Sequence, residues 1–131
     1  MDVRLKRVYE PADAGDGVRV LVDRLWPRGL SKQEAQLDEW VKECAPSSLL
    51  RRSWHADPRA HEPDRFRAFA ASYREELERG EASAALDALV RLARTAERVT
   101  LVYGAKDERI NHAVVLREAL IERAEDRSGP S

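Results

Sequence analysis

Residues 18–29 run Val-Arg-Val-Leu-Val-Asp-Arg-Leu-Trp-Pro-Arg-Gly. Val18 to Val22 is β-branched and apolar on both faces except at Arg19, the pattern of a strand covered on both sides. Asp23-Arg24 ends it, and Trp26-Pro27-Arg28-Gly29-Leu30 is a loop fixed by Pro and released by Gly. Val99-Thr100-Leu101-Val102-Tyr103 is the clearest strand in the chain. What separates these two strands reads as helix, and a crossover of that kind favours a parallel pair. Upstream, Val3 and Leu5 point one way while Arg4, Lys6 and Val8 point the other, a short strand that ends at Glu10-Pro11. Residues 11–17 form a loop too short for a helical crossover, so the first two strands are either antiparallel or not adjacent.

The helices follow from apolar spacing and from stop signals. Ser31 and Glu34 suit a capping box for a helix running through Leu37, Trp40 and Val41, which Pro46 ends. A short helical turn at Ser47–Ser53 leads to a polar connection holding Pro58 and Pro63. Phe66, Phe69, Ala70, Tyr73 and Leu77 then fall at helical spacing up to a stop at Gly80. Leu86, Leu89, Val90 and Ala93 make the next stripe, and Ala113, Leu116, Leu120 and Ala124 the last. The expected architecture is α/β: a small, mostly parallel sheet flanked by amphipathic helices in a single compact domain. That domain covers residues 1–124, with 125–131 as a flexible C-terminal tail.

Composition limits the function classes. The 131 residues are 43% hydrophobic and 36% charged, enough for a core under a heavily charged surface. Basic and acidic side chains, 23 and 24, cancel to a formal −1, so no global charge argues for nucleic acid or a membrane surface. The single Cys44 cannot form an internal disulfide, and the first residues alternate polar and apolar instead of resembling a signal peptide. Both point to the cytoplasm. No apolar run approaches the length of a membrane span.

In open sheets of parallel strands, ligands bind at the loops leaving the carboxyl ends of the strands. Two loops qualify. Asp23 to Gly29 carries a carboxylate, two guanidiniums and an indole; Tyr103-Gly104-Ala105-Lys106-Asp107 leads to Asn111 and His112 at a helix start. Backbone N–H groups there, with Arg24, Arg28 and Lys106, suit an anion such as phosphate or carboxylate. Asn111 would complete the cradle, Trp26 and Tyr103 would border it, and His112 or Asp23 would carry a proton if a reaction occurs. Each residue has a structural alternative: Asp23 and Arg24 as strand-end partners, Trp26 as a rim aromatic, Lys106 and Asp107 as a solvated turn, His112 as a core histidine. His55 and His61 flank Asp57 without a third ligand, so no metal is expected; no cofactor fingerprint occurs; and Cys44 reads as a small buried hydrophobe.

The residues Lys6-Arg7-Val8-Tyr9, Arg19 to Gly29, Leu37-Asp38-Glu39-Trp40 and Asn111-His112-Ala113 together resemble the YeaO-like proteins of the bacterial domain-of-unknown-function family 488. The resemblance spans residues 3–122. It implies a compact cytoplasmic α/β domain in which Asp23-Arg24 and the segment from Lys106 to His112 are signature positions. More distant relatives carry a Cys-His-Arg segment where Asn111-His112-Ala113 stands here, so this chain lacks a thiol at that place. The family implies no established reaction. Two functions follow as expectations: a crevice for a small anionic ligand such as a phosphorylated metabolite or nucleotide, with or without turnover, or a non-enzymatic interaction or regulatory module. For the second, the Trp26-Pro27-Arg28 loop or the surface around Arg51, Arg52, Arg59, Arg65 and Arg67 would dock a partner, with nucleic acid the less favoured one.

Overall fold

The computed structural model describes residues 1–128. Four strands, β1 (Val3–Arg7), β2 (Val18–Leu21), β3 (Glu39–Trp40) and β4 (Val99–Tyr103), form one sheet in the order β1-β4-β2-β3. Every neighbouring pair is parallel. β4 takes the centre, with Val3 and Val18 both in register with Val99, which is why all five of its residues are buried. The first two strands are therefore not adjacent; β4 lies between them. Five helices complete the fold: α1 (Lys32–Ala35), α2 (Ser48–Ala56), α3 (Pro63–Leu77), α4 (Gly80–Thr95) and α5 (His112–Ser128).

Alternation along the strands sorts two unequal cores. Val3, Val20, Val22, Val99, Leu101 and Tyr103 face the main one, shared with Phe69, Tyr73 and Leu77 of α3, Leu86 and Leu89 of α4, and Leu116 and Leu120 of α5. Val8, Ala35 and Val102 form a smaller one with Trp26, Leu30 and Leu37 packed against it. A sheet buried on both faces needs apolar residues at successive positions, which is what β2 and β4 supply.

The helix expected from Ser31 through Val41 stops after one turn. Ser31 caps it as the capping box requires, its Oγ accepting from Glu34 N at 3.1 Å, but Gln36 turns left-handed at φ 46°. The cause is Arg19, whose Nη2 and Nε donate to the carbonyls of Ala35 (2.8 Å) and Gln36 (3.0 Å) and so satisfy the end of the helix. Asp38 then accepts from Arg19 N at 2.7 Å and donates its own N–H to Arg19 O, and Glu39–Trp40 is laid along β2 as an edge strand. Cys44 follows in a 3₁₀ turn, Lys42–Cys44, and is fully buried, with its thiol donating to Val41 O. Gly80 breaks the chain between two helices as its residue type suggested, and also opens α4, at φ 56°.

The turn before β2 is built to one backbone shape. Gly17 sits at φ 66°, where a Cβ would lie 2.3 Å from the carbonyl oxygen of Arg98. That close approach lets Val18 N donate to the same oxygen at 2.9 Å, seating β2 beside β4. At the other terminus α5 continues to Ser128, so the tail expected from residue 125 falls partly on this helix; residues 129–131 lie outside those described. No helix among the described residues is long and apolar enough to cross a membrane.

Candidate ligand-binding cleft

Past the carboxyl ends of β2 and β4 lies a cleft of about 680 Å³, within the usual range for small-molecule sites. Its floor is made where the two strands hand over to their loops. Val22 N donates to Val102 O at 3.0 Å, carrying the pairing one residue beyond β2, and Asp23 Oδ2 accepts from Gly104 N at 2.9 Å. A Cβ on Gly104 would sit 3.0 Å from that carboxylate oxygen, tighter than ordinary contact, so a side chain here would press on the Asp23 carboxyl. His112, the first residue of α5, donates through Nε2 to Val22 O at 3.0 Å, and the same nitrogen lies 3.3 Å from Asp23 Oδ1. A carbonyl can only accept, so the proton is on Nε2 whenever that bond is made.

Burial decides the charge of this pair. It raises the carboxyl of Asp23 above the usual aspartate range, against the opposing pull of His112, the Gly104 hydrogen bond and Arg51. It lowers the imidazole of His112 below the usual value of 6.5, against the opposing pull of Asp23. Both groups are pushed toward their neutral forms, and Asp23 Oδ1 is buried with no hydrogen-bond partner.

The cationic wall has two kinds of member. Arg24 is a structural clamp as well as a lining residue: Nε and Nη2 donate to the carbonyls of Pro46 (3.0 Å) and Ala45 (3.1 Å), fixing the approach to α2. Arg28 and Lys106 line the cleft from exposed positions, and Arg51 lines it from α2 with its Nε buried and without a hydrogen bond. Asn111 also lines the cleft, but its side chain is committed to the start of α5: Oδ1 accepts from Val114 N at 3.1 Å and Nδ2 donates to Asp107 O at 2.8 Å. Asp107 closes the same turn by accepting from Ile110 N and Arg109 N, bonds that hold its carboxyl below the usual range.

Seven of the eight residues singled out from the sequence therefore border one cleft: Asp23, Arg24, Trp26, Arg28, Lys106, Asn111 and His112. Tyr103 does not; it faces the main core, as its alternation with Val102 requires. Trp26 is held by its own loop, Nε1 donating to Leu30 O at 2.7 Å, and meets Trp40 edge-on with centroids 5.6 Å apart.

The third wall was not foreseen as part of the site. α2 and the connection after it bring Arg51, Trp54, His55 and His61 to the cleft, so all three histidines of the chain border it. Arg51, Trp54 and His55 are spaced i, i+3, i+4, one face of a helix, and that spacing was the available signal. No group of His, Cys, Asp or Glu among the described residues is placed to hold a metal ion.

The model of a family described as "Inactive DUF488-N3 subclade" matches residues 2–131. The chain is 43% identical to the uncharacterized protein YeaO of Escherichia coli K12 over 122 residues, covering 92% of this chain and 97% of that one. It is also 43% identical over 118 residues to the uncharacterized proteins Mb3100c of Mycobacterium bovis and Rv3073c of Mycobacterium tuberculosis, covering 90% of this chain and 92% of each. No solved structure matches.

Proposed function

This chain belongs to the DUF488-N3i family, the inactive DUF488-N3 subclade, and from that premise we propose that its cleft binds a small phosphate-bearing ligand without turning it over. One observation carries the proposal. Arg28, Arg51 and Lys106 border the same cleft, and among the described residues none of their side chains forms an ion pair or hydrogen bond; Arg51 feels Asp23 only at longer range. A half-buried guanidinium with a dry, unsatisfied N–H is costly unless something supplies the acceptor. A phosphate does so with two oxygens at once. The absence of a thiol at Asn111, where more distant relatives place one, fits binding without a covalent step.

In this reading Asp23 and His112 form the floor of the site, and Arg28, Arg51 and Lys106 its cationic wall. Isothermal titration calorimetry with ribose 5-phosphate and with inorganic phosphate tests it. Saturable binding is expected, weakened about tenfold or more in Arg51→Met/Lys106→Ala, as loss of charge-assisted bonds implies. Mass spectrometry should recover the ligand unchanged. A wild-type titration without saturable heat, or one that the double substitution leaves as it was, overturns the proposal.

A further inference from the structure

The cleft has an aromatic end that a phosphate alone does not use. Trp54 is half-buried, with its ring against Phe69 at 3.7 Å between centroids and Phe66 at 5.6 Å, both stacked. Its Nε1 donates to Ala60 O at 3.0 Å, which fixes the ring in one orientation. His61 stands 6.5 Å from Trp54, tilted by 39°, and is exposed. A separation and tilt in this range are those of two rings in ordinary contact, so Trp54 and His61 make one aromatic surface at the border of the cleft. The imidazole of His61, being exposed, turns at little cost to lie flat against a ring entering the cleft.

Resting on the anion-binding proposal above, we propose that the ligand is a nucleoside monophosphate whose base stacks on the aromatic surface of His61 and Trp54 while its phosphate meets Arg51 and Lys106. Three further features suit that class. A volume of about 680 Å³ admits base, sugar and phosphate together. Asp107 spends only Oδ1 on its own turn, which leaves Oδ2 as an acceptor for a sugar hydroxyl. Asp23, Asp57 and Asp107 border the cleft beside Arg24, Arg28, Arg51 and Lys106, a balance that complements one phosphate and opposes the charge of a triphosphate.

Calorimetry on the full chain with AMP, GMP, CMP and UMP, each set against ribose 5-phosphate, isolates the contribution of the base. At least one nucleotide is expected to bind about tenfold or more tightly than ribose 5-phosphate, the scale of base stacking on an aromatic platform. His61→Ala, at an exposed position, should shrink that ratio toward unity while leaving the ribose 5-phosphate affinity in place. The base protons of the bound nucleotide should move upfield in NMR spectra, and lose that shift in His61→Ala. If all four nucleotides bind no better than ribose 5-phosphate, the ring subsite is wrong and the phosphate site stands. If ribose 5-phosphate fails as well, both are wrong. A base advantage that survives His61→Ala puts the base elsewhere, and ATP binding more tightly than AMP rejects the monophosphate.

Discussion

Two aspartates bracket β2, and their surroundings differ in kind. Asp16, just before the strand, accepts from Lys6 Nζ with both oxygens at 3.0 Å, from Arg19 Nη1 at 2.7 Å and from Asp13 N at 3.0 Å. Its backbone carbonyl takes the Thr100 hydroxyl at 2.6 Å. Burial alone would raise its carboxyl, and the bonds from Lys6, Asp13 and Arg19 outweigh burial and hold it below the usual range. Asp23, just after the strand, is more exposed at the side chain, 21% against 11%, yet keeps one buried oxygen without a hydrogen bond, and there burial prevails. A buried ion with both oxygens engaged is part of the scaffold. One left short of partners stands where the molecule has kept room for something else.

The sharpest way to break this contrast is at the satisfied side. Arg19→Met keeps the length of the side chain and deletes three hydrogen bonds, to Asp16, Ala35 and Gln36, leaving buried acceptors at the end of α1. With side chains only 5% and 11% exposed at Arg19 and Asp16, the loss belongs to the class of broken buried pairs, about 3–5 kcal/mol. Urea denaturation reads it. A cost below about 1 kcal/mol would put this network with ordinary surface pairs and remove the difference between the two aspartates.

That same network marks where sequence reading stopped. β2 and β4 were legible because a run of apolar, β-branched residues has few other places to go, and the parallel arrangement followed from what separates them. The order with β4 central was half legible: the short connection excluded β1 and β2 as parallel neighbours without naming the strand between them. β3 was not legible at all. Glu39 and Trp40 carry no strand pattern; they are extended because Arg19 stops α1 and because Asp38 N and Val41 N find their acceptors on β2, at Arg19 O and Leu21 O. Arg19 stood out in the sequence as the one polar residue of a buried strand, but its partners lie on other elements. For the cleft, the two strand-end loops were predictable from the general position of ligands on parallel sheets, whereas Arg51 and Trp54 arrive on α2, and His61 on the connection after it, with a docking angle that no local pattern encodes.

A second, smaller effect lies on the unsatisfied side and appears as acid sensitivity. Burial lowers the imidazole of His112 below its unfolded value of 6.5, so around that pH the unfolded chain binds the proton more readily than the folded one. Stability attributable to His112 is therefore complete above pH 6.5 and is lost as pH falls toward the depressed folded value. Thermal or urea unfolding from pH 8 to 5 should show stability falling, with a shallower slope in His112→Gln. Equal slopes would mean that the imidazole charges freely where it is, and the floor of the cleft is then wetter than its 16% exposed side chain indicates.

The smallest expected change in stability is also the most discriminating. Asp23→Asn keeps an oxygen to accept from Gly104 N and removes a carboxylate that burial disfavours, so at pH 8 it should shift stability by no more than about 1 kcal/mol in either direction. Its acid behaviour should change more than its stability. The carboxylate is what pulls the His112 imidazole upward against burial; without it, the imidazole is depressed further, and the loss of stability below pH 6.5 should be steeper than in the wild type. The carboxyl of Asp23, being raised, works in the opposite sense: its own contribution is complete below 3.8 and fades as pH rises through its folded value, so deleting it also removes a counterweight to His112. Both effects act in the same direction. A variant that loses several kcal/mol at pH 8, as Arg19→Met should, would show that Asp23 is held by the scaffold as firmly as Asp16, and the unsatisfied oxygen would then carry no meaning for the cleft.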